Sequence, residues 1–134
     1  MSADANIKTI MSVYEAFGRG DVAAILDAVT DDVDWASEAA GTAAPWYGIR
    51  HGKDAVAAFF AEFGSTMEVE EFTPISVAAN DSDVLTVVRF RARSRATGKT
   101  AAMDLHHYFA FRDGKIGYYR GTEDSAQTQF VLQP

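Results

Sequence analysis

Apolar positions fall at two different periods along this chain, and the change between them comes near its middle. Ile7, Ile10, Met11, Tyr14 and Phe17 lie three or four residues apart, which predicts an amphipathic helix. That helix stops at "GRGD", where Gly18 and Gly20 supply a flexible exit. Asp21 then caps a second, shorter helix carrying Val22, Ile25, Leu26 and Val29. "DDVDWASE" reads as a short strand or turn, with Val33 and Trp35 on one side and Asp34 on the other. From Ala39 to Gly52 the chain is rich in Gly, Pro and small residues, and reads as a loop packed down by Trp46 and Tyr47. A third helix, "KDAVAAFFAEF", presents Val56, Phe59, Phe60 and Phe63 as one apolar stripe.

After Gly64 the period becomes two. Met67–Ala79, Val84–Ala96, Thr100–Arg112 and Lys115–Thr122 predict four long strands, joined by "NDSD", "TGK" and "RDG". Turns this short make neighbouring strands antiparallel. The tail "EDSAQTQFVLQP" supplies either a short helix or an edge segment. Helices first and then a long antiparallel run is an α+β pattern, with three helices covering one face of a curved sheet. A strongly twisted sheet bent round helices makes a cone, and an incompletely filled cone is a pocket.

Composition narrows the function classes. At 134 residues the chain fits one domain, and folding should bury roughly two thirds of its surface. A net charge of -7 argues against a nucleic-acid partner, because such binding draws on clustered Lys and Arg. The one basic cluster, Arg89, Arg91, Arg93 and Arg95, shares a strand face opposite Val88, Phe90, Ala92 and Ser94. Like charges in a row repel, so acids or a dimer partner are expected beside it, with Asp104, His106 and Tyr108 as cross-strand candidates. With no cysteine, disulfides and thiolate chemistry are excluded. No run approaches a membrane span, and the polar N-terminus is unlike a secretory leader, so a cytoplasmic protein is expected. No metal constellation and no Gly-rich phosphate loop is present, so no cofactor is expected.

The stretch "MDLHHYFAFRDGKI" holds the most pointed candidate. Met103, Leu105, His107, Phe109 and Phe111 fall on one strand face, so a single imidazole joins an otherwise apolar set aimed at the cavity. It is either an acid or base, or a buried histidine satisfied by a neighbour. On the closing strand Tyr119, Gly121 and Glu123 share the cavity face. Glu123 and Asp124 either partner the imidazole or cap the C-terminal segment. His51, ahead of the third helix, lines the pocket mouth or sits in solvent. Trp35, Trp46, Tyr47, Phe59, Phe63, Phe90, Phe109 and Tyr119 make either a wall for a flat apolar ligand or plain core.

The words "VYEAFGRGDVAAILDAVTDDVDW", "YGIRHGKDAVAAFFAEF" and "HHYFAFRDGKIGYYRGTEDSA", in this order, resemble the NTF2-like superfamily and its SnoaL-like and ketosteroid-isomerase-like members. The resemblance covers nearly the whole chain. It implies a cone-shaped domain with an apolar pocket, commonly a homodimer through the outer sheet face, binding a small hydrophobic molecule. It also spans isomerases, polyketide cyclases, dehydratases, epoxide hydrolases and non-catalytic pocket proteins, among which fold does not choose. In ketosteroid-isomerase-like proteins the strand that His107 matches carries a protonated acid that donates to a developing enolate. Asp124 matches an aspartate frequent after the last strand of SnoaL-like sequences. The family's general-base position is matched by Trp35, with Asp34 pointing away and Glu38 near the loop, which disfavours steroid isomerisation by that route. Two readings therefore stand: a cofactor-independent enzyme using His107 with Glu123 or Asp124, and a pocket protein without catalysis.

Overall fold

Three of the four helices begin at a side-chain cap that the sequence places there, Ser2, Asp21 and Asp124, and the third in chain order begins at Gly52 without one. In the computed structural model, which describes residues 2–134, α1 (Ala3–Gly18) begins where the Ser2 hydroxyl accepts from the Ala5 N–H at 3.1 Å. Gly20, at φ 70°, turns the chain into α2 (Val22–Asp27), whose Ala24 N–H donates to the Asp21 carboxylate at 3.1 Å. The chain continues as β1 (Val29–Ser37), β2 (Gly48–His51), α3 (Lys53–Thr66), β3 (Met67–Ala79), β4 (Asp83–Ser94), β5 (Thr100–Arg112), β6 (Lys115–Thr122) and α4 (Ser125–Leu132). The tail is thus a helix, and Asp124 is its cap, accepting from the Gln127 N–H at 3.1 Å.

The strands form one sheet in the order β2-β1-β6-β5-β4-β3. The four long strands pair antiparallel in sequence, and β1 joins the far side of β6 in parallel. Two elements depart from the sequence reading: α2 stops at Asp27, so Val29 opens the nine-residue β1 instead of belonging to the helix, and the segment read as loop as far as Gly52 contains β2, antiparallel to β1 with Trp35 opposite Arg50. Being four residues long, at the sheet edge and largely exposed, β2 shows no alternation that could announce it. The β4 strand ends at Ser94, two residues early, because the Arg95 N–H turns away to the Thr66 carbonyl.

Irregular register in β3, at Val69/Glu71 and Pro74/Ser76, and in the β5–β6 pairing at Ala110/Phe111, bends the sheet toward the helices. The concave side closes on Ile10, Ile25, Val33, Val56, Val84, Val88 and Ile116, none of which keeps accessible surface. Burial alternates strictly along the inner half of β4, so Thr86, Val88, Phe90 and Ala92 face in while Arg89 and Arg91 face out. Neighbouring strands supply acids to the arginine row. Glu68 of β3 lies 3.1 Å from Arg93 and 3.6 Å from Arg95, and Asp104 stands opposite Arg89. Tyr108 does not join that row; it donates to Asp83 at 3.1 Å. Among the described residues no helix is long and apolar enough to cross a membrane.

Candidate functional site

Inside the cone, between α1, α3 and the inner faces of β4, β5 and β6, lies a partly open cavity of 90 Å³. A single buried water needs about 10–15 Å³ on this measure, so the space is that of several waters or one small ring system. Trp35, Trp46, Phe59, Phe63, Phe90, Phe109 and Tyr119 line it, together with His107 and Glu123. Tyr47, His51 and Asp124 do not. Tyr47 lies behind Glu123, His51 is exposed at the end of β2 opposite Asp34, and Asp124 caps α4. A second hollow, of 280 Å³, opens on the other side of Phe17, Phe60, Phe63 and Phe72. Its one charged group, Arg95, is already tied to the Gly64 carbonyl at 2.9 Å and to Glu68.

At the inner end of the cavity three polar side chains form a chain. The Tyr14 hydroxyl lies 2.6 Å from Thr86 Oγ1 and 2.7 Å from His107 Nδ1. The ring's partner is therefore a tyrosine from α1, and no carboxylate hydrogen-bonds to it among the described residues. Nε2 has no protein partner there either, yet it is not sealed in, since the half-buried ring forms part of the cavity wall. Burial, with a smaller push from the neighbouring His106, brings the His107 pKa down to about 3. The ring is neutral at pH 7. Burial also raises the pKa of Tyr14, partly offset by its bond to Thr86, so the tyrosine keeps its proton.

The chain of bonds runs in either direction. With Thr86 donating to Tyr14 and Tyr14 to Nδ1, the ring carries its hydrogen on Nε2, facing the cavity. Reversed, Nε2 offers a lone pair. Either way every buried polar atom in the chain is satisfied, and the ring stays uncharged.

At the other end, Glu123 is a clamp. Trp46 Nε1 donates to its Oε1 at 3.1 Å, and the Tyr47 hydroxyl donates to Oε2 at 3.0 Å, joined there by the Thr128 hydroxyl. One carboxylate thus holds the 39–47 loop and α4 to the end of β6. Burial and the nearby Glu123 charge raise the Tyr47 pKa, keeping that donor protonated. Gln127 makes a pair of hydrogen bonds to the backbone of Ala102, its Oε1 accepting from the N–H at 2.6 Å and its Nε2 donating to the carbonyl at 3.0 Å, which pins α4 to β5.

Trp35, the match to the family's general-base position, is part of the cavity wall. Its ring packs 4.1 Å from Tyr119, centroid to centroid, and its Nε1 is buried without a partner. Asp34 lies 2.9 Å from Arg120 Nη1, with Glu38 3.9 Å from the same guanidinium, and neither lines the cavity. Sequence reasoning missed Tyr14 and Thr86 as partners of His107. Tyr14 reads as one more apolar position of a helical stripe, and nothing in spacing links it to a strand residue 93 positions away. Among the described residues no cluster of three or more His, Cys, Asp or Glu could hold a metal.

Residues 11–119 match the SnoaL-like domain family. Among solved structures, an NTF2-like protein of unknown function from Burkholderia pseudomallei superposes with a TM-score of 0.89 at 23% identity, over 97% of this chain and 98% of that one. TerC, co-crystallised with polyporic acid, superposes with a TM-score of 0.84 at 21% identity, over 97% and 99%. A candidate polyketide cyclase from Xanthomonas campestris pv. campestris gives 0.80 at 20%, over 98% of each. No curated protein matches the sequence. Identities this low carry the fold, and the fold they share is the helix-filled cone described above. With the family match spanning most of its length, the chain belongs to the SnoaL-like family of NTF2-like α+β proteins.

Proposed function

We propose that this protein is a cofactor-independent SnoaL-like enzyme that takes a flat, apolar, polyketide-like carbonyl compound into its cavity. In this reading His107 is the polar group that meets the substrate oxygen. The observation that carries it is the neutral imidazole with Nδ1 held by Tyr14 and Nε2 open to an aromatic cavity. A neutral ring donates through Nε2–H, polarising a carbonyl, and a switch of the Thr86–Tyr14–His107 chain lets the same nitrogen accept instead. Proton movement of this kind needs no imidazolium, which the site disfavours. Isomerase, cyclase and dehydratase chemistry all use such a group. The aromatic wall supplies stacking for a ring system, and the TerC complex with polyporic acid is a neighbour that holds a small organic molecule in the same fold. A homodimer through the outer sheet face belongs to the same proposal, supported by the exposure of Leu85 beside the arginine row.

A second reading, a pocket protein without catalysis, is favoured by one observation. Glu123, the one carboxylate lining the cavity among the described residues, already accepts from three donors. A thermal-shift screen with aromatic polyketides, steroids and terpenoids finds the ligand class, since a binder raises the melting temperature once its concentration exceeds its Kd. With a binder in hand, turnover by the native protein and by His107→Asn decides between the readings. Loss of turnover with affinity kept within a few fold supports the enzyme. Equal loss of affinity, with no bound compound converted by the native protein, supports the pocket protein.

A further inference from the structure

Tyr119 is 5% exposed and lines the cavity, and its hydroxyl makes no hydrogen bond to the protein among the described residues without being sealed off. A tyrosine hydroxyl that no protein group satisfies and that belongs to an apolar cavity wall is free to donate to whatever enters the cavity. Its place is set by Gly121, two residues along on the same strand face. A Cβ at Gly121 would collide with Tyr119 Oη and come within 3.2 Å of His107 Cδ2. The absent side chain lets the phenol ring lie across the strand, with its hydroxyl beside the imidazole edge. The two rings stand at 74° with centroids 5.3 Å apart.

Resting on the reading of His107 given above, we infer that Tyr119 is a specificity-determining residue whose hydroxyl, with His107 Nε2, holds one ligand oxygen, and that Gly121 exists to make room for it. Tyr119 keeps its proton, because burial raises its pKa well above the ordinary tyrosine value and its neighbours Tyr14 and Glu123 add to this. It is therefore a fixed donor, beside a histidine that donates or accepts. An oxygen that accepts from both is a ketone or quinone; one that accepts from Tyr119 and donates to Nε2 is an enol. Among the described residues no Lys or Arg lines the cavity, and the Glu123 carboxylate is part of its wall. A carboxylate or phosphate group would be desolvated there without a counter-charge. The ligand class is an uncharged, enolisable aromatic carbonyl compound.

Infrared spectroscopy with 1-tetralone, against the hydrocarbon tetralin as control, tests this. The carbonyl stretch of bound 1-tetralone should fall below its value in an apolar solvent. About half of that fall should vanish in Tyr119→Phe, and 1-tetralone affinity should drop five- to tenfold while tetralin affinity holds within twofold. Gly121→Ala, which displaces the ring by a different route, should reduce the shift in the same way. An unchanged stretch in Tyr119→Phe, with the shift lost only in His107→Asn, overturns the role of Tyr119 and leaves that of His107 standing. Equal affinity for 1-tetralone and tetralin, or binding of 2-naphthoate as tight as 1-tetralone, overturns the ligand class. Binding of neither neutral probe removes the cavity reading and this inference together.

Discussion

At position 107 an imidazole is kept neutral by its surroundings, and this has a consequence for stability. The folded-state pKa is about 3, below the ordinary value near 6.5 that holds in the unfolded chain. As pH falls through 6.5 the unfolded chain takes up a proton that the native ring refuses, so the native state loses stability. The loss builds from about pH 6.5 down to pH 3, reaching about 1–2 kcal/mol by pH 5. Urea denaturation of the native protein and His107→Asn at pH 7.5, 6.0 and 5.0 should show the native protein weakening more steeply by that amount; parallel curves would contradict it. Tyr119→Phe is expected to leave the melting temperature unchanged or raise it, because it deletes a hydroxyl that has no protein partner. A fall would show that the hydroxyl is bonded after all. The inward aim of His107 was legible from alternation along β5. Its bond to Tyr14 was not, since that contact exists only once α1 is laid across the sheet.

Among the elements, the 39–47 loop and α4 are separate in sequence and joined through Glu123. Hydrogen bonds to a charged acceptor contribute about 1.5–3 kcal/mol each when their loss strands a buried partner. Glu123→Ala is therefore predicted to cost about 2–4 kcal/mol, less than the sum, because the loop and α4 regain water as they loosen. Hydrogen exchange should accelerate in 39–47 and in α4 together while the β3–β4 pairing stays protected. Acceleration of one segment alone would show that they are not coupled. The two candidate roles of the acidic pair at the end of β6 divide cleanly. Asp124 is the helix cap, and Glu123 is the clamp at the cavity wall. The long strands and their turns were legible because alternation and short polar breaks are local signals. The short strand β2 was not, because an exposed four-residue edge is specified by what β1 offers it rather than by its own pattern.

For the whole molecule, a bent sheet closed by helices leaves a hollow whose walls are aromatic and whose two ends are polar, one a neutral proton-bearing chain and the other an occupied carboxylate. The cone and its apolar interior followed from the order of helices and strands. Which aromatics meet the hollow depended on the curvature, and so Tyr47 and His51 fall outside while Phe17 and Phe72 fall within. At the same scale, sedimentation velocity is expected to give a particle of twice the 14.6 kDa chain mass, shifted toward monomer by Leu85→Lys on the outer face; a native monomer would contradict the proposed dimer. The most direct test of the account is nitrogen NMR of the histidine rings, with the exposed His51 and His106 as internal references. His107 is predicted to keep the neutral-imidazole pattern from pH 8 to pH 5 and to shift chiefly at Nε2 on saturation with 1-tetralone. A His107 signal that titrates near pH 6.5, or one indifferent to a ligand that stabilises the protein, would contradict it.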